Sequence, residues 1–505
     1  MKVLAMYLPQ FHRVKENDEW WGEGFTEWTT VKGAKPLYDG HSQPVVPYNE
    51  NYYDLTEKET MQWQADLMKK YGVDGACIYH YWFKDGRQIL EKPAENLLQW
   101  KDIDMPFCFC WANETWARTW SGMSNINVWA STLEKKTADG KKVLLEQKYG
   151  TEKEWTEHFN YLLDFFKDER YIKKNGKPVF MIYRPELMPC VERMLALWNR
   201  LAVEAGFNGL FLVGGDRGEY TGIHDAAFDK VLYWDPIHSI SKLDSLERGK
   251  RKSGALVLEY DDVWNCILNH KGVSEQRLFG GIVGYDDTPR RGEKGLLIEG
   301  ATPEKFSKYL TELLAKNAAL GNDLVFLNAW NEWGEGMYLE PDTTSEYAYL
   351  ETVNNAKKTY EIHIEKYEKL HEAQKEYAGY SATGRYRHYF TIFEQWVSLK
   401  CRGLKLEDYF VNNGYKTIAI YGYGPLAKLL ISELKDSSIK IECIIDRNKS
   451  QVNCEYPAYD LDNKLPPVDL IVIAATFSSG VIFEALLEKE YPNVISLEEI
   501  IMEEW

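Results

Sequence analysis

The chain has 505 residues, enough for two or three domains or for one large barrel with an appendage. With 45% apolar and 27% charged residues, 36 Gly and 18 Pro, the composition is that of an ordinary globular protein and excludes disordered and collagenous classes. Sixty basic against 77 acidic side chains leave a net charge of −17, whose field repels nucleic acid. No apolar run approaches the roughly 18 residues of a membrane span, and the apolar stretch after Met1 is short for a signal peptide, so a cytoplasmic location is expected. The eight Cys include no CxxC pair; Cys108 and Cys110, two apart in PFCFCW, read as buried inert thiols. The aromatic residues stand out. They reach 14%, and ten of the 18 Trp fall between Trp20 and Trp129.

In chain order, residues 1–360 give eight short apolar runs: Val3 to Tyr7, Asp74 to His80, Pro106 to Trp111, Pro178 to Tyr183, Gly209 to Gly214, Lys230 to Trp234, Phe279 to Val283 and Leu324 to Trp330. Helical spacing fills the gaps, as in Trp155, Phe159, Leu162, Leu163 and Phe166, or Phe306, Tyr309, Leu310, Leu313 and Leu314 after the Thr302-Pro303 start signal. Eight βα units of this length predict an α/β fold of the (β/α)8 TIM barrel type. An open doubly wound sheet is disfavoured because its first turn is glycine-rich, whereas YLPQFH has no glycine.

Barrel chemistry sits where strands end and the following loops begin. Those ends carry Tyr7, Gln10 and His12; His80, Tyr81 and Trp82; Asn113, Glu114 and Arg118; and Tyr183 and Arg184. Asp216, Trp234, Asp235, Tyr285 and Asp286 follow on the later strands. The sharpest feature is NAWNEWGEGMYLEP after the eighth run, with Glu332 and Glu335 three apart among Trp330 and Trp333. Two carboxyls on one loop can reach the separation of about 5 to 5.5 Å that retaining glycosidases use, and nearby rings can raise one pKa. Read blandly, the two glutamates are solvated loop residues and the aromatic blocks WWGEGFTEW, YHYWF and CWANETWARTW are core. Their recurrence on one rim, with Trp28, Trp116, Trp234 and Trp333 offering apolar ring faces, favours a sugar cleft. His12 and His80 lack metal-ligand spacing, and no HxH, HExxH or Cys/His cluster occurs, so no metal is expected.

Residues 361–413 are charged and Tyr-rich and read as a helical connector with solvated faces. From 414 to 505 a small Rossmann-like α/β unit is expected: a strand in KTIAIY, then Gly422, Gly424 and Ala427 on G-x-G-x-x-A spacing, then Asp446 at the end of IECIID. This is half of a dinucleotide fold, and two readings stay open, a nucleotide or nucleotide-sugar site at Gly422, Gly424 and Asp446, or a degenerate docking module.

YLPQFH, NDEWWGEGFTEW, YHYWF, FCWANETWARTW, YDDTPRR and WNEWGEG, in this order over roughly Met1 to Tyr360, resemble the WbsX-type family of polysaccharide-cluster proteins, whose catalytic domain is similar to family 99 of the glycoside hydrolases. The resemblance implies a (β/α)8 barrel and an endo-α-mannosidase-like enzyme of bacterial surface polysaccharide that cleaves or transfers glycosidic bonds. It implies that Glu332 takes the proton of the sugar 2-hydroxyl to give a 1,2-anhydro sugar. Glu335 protonates the leaving oxygen and then deprotonates the acceptor. The usual retaining scheme, in which one carboxylate attacks carbon, remains an alternative. The expected substrate is an oligosaccharide or polysaccharide, with no required cofactor and with peripheral association with assembly machinery. A nucleotide-sugar-dependent glycosyltransferase, with the donor in the C-terminal unit, and a non-catalytic glycan-binding protein are the competing readings.

Overall fold

The computed structural model describes the chain except residues 118–134, 137–141, 219–221, 223, 243–248, 271–274, 376–381, 450–451, 462, 476–478, 490, 492 and 503–505. Two compact units result: Met1–Arg184 with Leu201–Glu219 and Asp229–Gly379, and Pro185–Arg200 with Tyr220–Phe228 and Tyr380–Trp505.

The first unit is built on a parallel sheet of β1 (Lys2–Tyr7), β2 (Gly75–His80), β3 (Phe107–Trp111), β4 (Lys177–Ile182), β5 (Phe211–Asp216), β6 (Lys230–Tyr233), β7 and β8 (Leu324–Asn328). Strand β7 comes in two segments, Arg277–Phe279 and Gly281–Ile282, either side of Gly280. Its first segment pairs with β6 and its second with β8, while β8 pairs back onto β1. The sheet therefore closes into an eight-stranded barrel. Gly280 permits the switch, since a Cβ there would stand 2.9 Å from the Tyr233 carbonyl oxygen. Strands buried on both faces read as continuous apolar runs, which is why all eight are visible in the sequence. Cys77, Cys108 and Cys110 are buried free thiols in β2 and β3.

Helices lie between the strands. The helix α1 (Lys58–Tyr71) precedes β2, and α2 (Glu152–Lys167) opens on a Thr151/Glu154 capping box and buries Trp155, Phe159, Leu162, Phe165 and Phe166. Helix α3 (Pro303–Ala319) is capped by the Thr302 hydroxyl, which accepts from Lys305 N at 3.2 Å, and buries Phe306, Leu310, Leu313 and Leu314. Between β5 and β6 the described residues hold only a 3-10 turn, Asp225–Ala227, so the βα alternation is irregular there.

In the second unit five parallel strands, β9 (Thr417–Tyr421), β10 (Lys440–Ile445), β11 (Ala458–Tyr459), β12 (Leu470–Ile473) and β13 (Val494–Ser496), are ordered β11-β10-β9-β12-β13. This is the Rossmann-like order, with a helix Pro425–Leu434 after the first strand. The expected solvated connector behaves differently. Its helices Ala382–Cys401 and Leu406–Asn412 bury Ile392, Trp396, Leu399, Leu406 and Phe410 in one core with Ile418, Ile420 and Leu430. Apolar residues hidden among charges bury their stripe against the sheet and leave the charges outside.

Candidate active site

The loop after β8 folds back on itself. Asn331–Glu332 pairs antiparallel with Met337–Tyr338 across the 3-10 turn Trp333–Glu335. Asn331 anchors the turn to β1, accepting from Leu8 N at 2.7 Å and donating to the Leu8 carbonyl at 3.0 Å. Gly336 has φ +60°, and a Cβ there would lie 2.8 Å from Asp286 N, so this position needs glycine. Tyr285–Asp286 in turn pairs with Leu296–Glu299, and this frame fixes the short helix Thr288–Arg291 against the glutamate turn.

From that helix Arg290 reaches both glutamates. One guanidinium nitrogen donates to Glu335, the other lies 3.1 Å from Glu332, and the same nitrogen is 3.2 Å from Glu27 of the helix Glu27–Gly33. A Cβ on Gly334 would meet Glu27 Oε2 at 2.6 Å and Arg290 Nε at 2.9 Å, so the absent side chain is what lets this bridge pass between the two glutamates. Burial alone would lower the Arg290 pKa, but Glu27, Glu335 and Glu332 outweigh it and hold the cation charged. Burial drives the Glu332 pKa upward; Arg290 opposes this, while the charges of Glu335 and Glu27 add to it. Glu335 is more open, its side chain 28% exposed against 8% for Glu332. Tyr79, Tyr81, Tyr183 and Tyr285 place their phenols within the electrostatic reach of the pair. Their phenols are raised first by burial, with the charge of Glu332 acting on Tyr79 and Tyr81 and that of Glu335 on Tyr79, Tyr183 and Tyr285.

Behind the turn lies a second buried carboxylate. Glu340 accepts from Trp333 Nε1, Tyr53 Oη and Gln64 Nε2, each at 2.7 Å. Burial pushes it up to about 7 against those hydrogen bonds. Asp287, one residue past Asp286, is pushed up to about 6 by burial.

Several residues expected to meet substrate take other places. Trp333 is buried, stacked on Tyr338 at 3.8 Å, and Trp28 is buried against Phe11, Tyr53 and Trp333, so both form the floor beneath the glutamates rather than a stacking face. Tyr7 turns to α1, donating to Gln64 at 2.6 Å. His80 and Trp82 pack on α2: the Nε2 atoms of His80 and His158 are 2.8 Å apart, and Trp82 stacks on His158 at 4.4 Å. Trp116 belongs to an apolar cluster with Trp20 and Tyr81, and His12 is buried with its imidazole pKa lowered by desolvation. Asn113 is fully buried and spends its amide on the Arg184 backbone. Asp216 is buried, accepting from Gly218 N at 2.8 Å beside His238.

Glu332 and Glu335 are brought together by Arg290, and Trp234 meets Tyr183 edge-on at 4.5 Å. Glu114 pairs with Arg184, and Gln10 is partly exposed, its carbonyl accepting from Glu27 N. Arg118 lies outside the described residues. Glu27 and Arg290 are site members that no local spacing marks, being 263 residues apart. In the second unit Gly422 has φ +90° and Asp446 accepts from Tyr423 N at 2.9 Å and Asn448 N at 2.8 Å, so its carboxylate ties down the glycine turn. Among the described residues no group of three or more His, Cys, Asp or Glu is placed to hold a metal, and no helix is long and apolar enough to cross a membrane.

The first unit is thus a parallel (β/α)8 barrel with an arginine-bridged carboxylate pair at the carboxyl end of its last strand, the end at which such barrels carry their sites. The family model described as "Glycosyltransferase WbsX" matches residues 3–353, and the chain belongs to that family. It is similar to a protein of Xanthomonas campestris pv. campestris named "Uncharacterized protein WxcX", 32% identical over 363 residues that make up 70% of this chain and 49% of the relative; the same protein from strain B100 is also 32% identical, over 361 residues. The chain thus spans about half the length of the curated relatives it matches. Among solved structures it is similar to a GH99 endo-alpha-mannosidase from Bacteroides thetaiotaomicron, in two structures with 13% and 15% identity and TM-scores of 0.44 and 0.43, each covering 71% of this chain and 97% of the other.

Proposed function

We propose that the barrel makes or breaks glycosidic bonds in a bacterial surface polysaccharide, with net retention, through Glu332 and Glu335. The observation that carries this reading is the Arg290 bridge, which holds two carboxylates of unequal burial side by side at the functional rim. In the roles that the family resemblance implies, Glu332 in its ionised form takes the proton of the sugar 2-hydroxyl as O2 closes on C1. The bond from C1 to the leaving oxygen breaks as Glu335, which enters the cycle in its protonated form and is the more open of the two, delivers that proton to the leaving oxygen. An incoming hydroxyl then attacks C1, its proton passes to Glu335, and Glu332 returns its proton to O2. Two inversions at C1 give retention. Water as acceptor makes the reaction hydrolysis, and a second sugar makes it transfer. The scheme calls on no cofactor.

The decisive test is turnover of an oligosaccharide repeat by the wild type and by Glu335→Gln and Glu332→Gln. A fall of about 100-fold or more in each variant is expected for loss of a proton-transfer group. Near-normal turnover by Glu335→Gln overturns the reading.

A second reading, a transferase using a nucleotide-sugar held at Gly422 and Gly424, draws on the parallel sheet order and the positive φ of Gly422. Calorimetry of the full chain with a nucleotide-sugar panel tests it, with Gly422→Val as the control; binding unchanged in the variant, or none at all, speaks against it.

A further inference from the structure

Glu114 stands three residues beyond β3, Arg184 two beyond β4, and Arg217 directly after β5, so three successive strand ends place them on the same rim as the glutamates. Glu114 Oε1 accepts from Arg184 Nη1 at 2.8 Å and from Arg217 Nη1 at 3.1 Å. All three side chains are partly open, at 14%, 18% and 22% exposure. The cluster is held in shape from behind. Asn113 clamps the Arg184 backbone through two hydrogen bonds of 2.8 Å, and the Arg217 guanidinium lies 5.1 Å over the Tyr183 ring. Asp216, the neighbouring carboxylate, is occupied by Gly218 and His238.

We infer that Arg184 and Arg217 form a subsite for an anionic group, a carboxylate or a phosphate, on the sugar unit next to the bond on which Glu332 and Glu335 act. The inference rests on the glycosidic reading above. Two planar guanidiniums converging on one carboxylate oxygen show where an anion sits, and such forks match carboxylate and phosphate alike. Tyr183, directly after β4, lies between Arg217, whose guanidinium is 5.1 Å over its ring, and Tyr79 and Trp234, whose rings it meets edge-on at 6.3 and 4.5 Å. A chain of net charge −17 repels an anionic glycan at long range, and a local cationic foothold offsets this at the cleft.

The test is calorimetry of the full chain with methyl glucuronide, glucose 1-phosphate and methyl glucoside. One or both anions should bind about tenfold more tightly than the neutral glycoside, the scale of a charge-assisted hydrogen bond, and which anion wins tells a uronic acid from a sugar phosphate. The preference should shrink in high salt and vanish in Arg217→Gln. Glu114→Gln, which removes one charged partner of both guanidiniums and keeps the guanidiniums themselves, should bind the anion more tightly. Equal affinity for all three ligands, a preference that survives Arg217→Gln, or a Glu114→Gln variant that only loses thermal stability overturns the subsite. Equal affinities together with Glu335-dependent turnover defeat the subsite and leave the glutamate chemistry standing. An anion preference in a chain whose Glu335→Gln variant turns over normally supports the subsite and defeats the glutamate chemistry.

Discussion

Arg290 Nη2 lies 3.1 Å from Glu332 Oε2 while the other terminal nitrogen of the same guanidinium donates to Glu335. One cation therefore sets both the distance between the two carboxylates and the balance of their charges, with Glu27 as the third partner. Removing one member of a buried ionic group leaves the others uncompensated.

Arg290→Gln is accordingly expected to cost about 3–5 kcal/mol of stability, read by urea unfolding, because it strands the Glu27 and Glu332 carboxylates without their cation. The double variant Glu27→Gln/Arg290→Gln should recover part of that loss. A double variant as unstable as the sum of the single ones shows that the two side chains do not act together.

Gly334→Ala should damage the site out of proportion to its size. Its Cβ would press on Glu27 and Arg290 at 2.6 and 2.9 Å, and overpacking of this kind costs about 1–3 kcal/mol. A loss of turnover larger than the stability change accounts for is expected, and unchanged turnover would show that the bridge tolerates displacement.

Glu340 gives a signed pH effect. Its folded pKa, pushed up to about 7, lies above the ordinary 4.5, so the folded state binds the proton more tightly and stability is lost as pH rises between those values. Relative to Glu340→Gln, the wild type should therefore lose stability from about pH 4.5 to about pH 7 and then level off. Asp287, pushed up to about 6, is common to both proteins and so cancels in this comparison. Thermal unfolding of both proteins across this range is the check, and a wild type that gains stability relative to the variant contradicts the assignment.

Asp446→Ala should loosen the glycine turn of the second unit, since the carboxylate accepts from the backbone N–H groups of Tyr423 and Asn448. Hydrogen exchange at those two amides should speed up by about tenfold, equivalent to losing roughly 1–1.5 kcal/mol of hydrogen bonding. Unchanged exchange would show that the turn is held by its own backbone.

The sequence carries the barrel because each buried parallel strand is a contiguous apolar run, and Glu332 and Glu335 are legible because one short loop holds both. Glu27 and Arg290 each fall inside a quoted motif, NDEWWGEGFTEW and YDDTPRR, but their pairing is not legible, since closure of the barrel brings these distant residues together. Tyr7, His80 and Trp82 show a different limit. Successive strand residues face opposite sides, and a strand apolar on both sides does not reveal which residues point to the cleft and which to α1 and α2. The abundant Trp also divides: Trp28, Trp330 and Trp333 are buried beneath the glutamates, where they shape the site by packing and, for Trp333, by its hydrogen bond to Glu340.

The most direct measurement is NMR analysis of products formed from a surface-polysaccharide repeat by the wild type and by Glu335→Gln. A product of retained anomeric configuration, formed by the wild type and reduced about 100-fold or more in the variant, is the predicted result. An inverted product, or equal product from both proteins, contradicts the account.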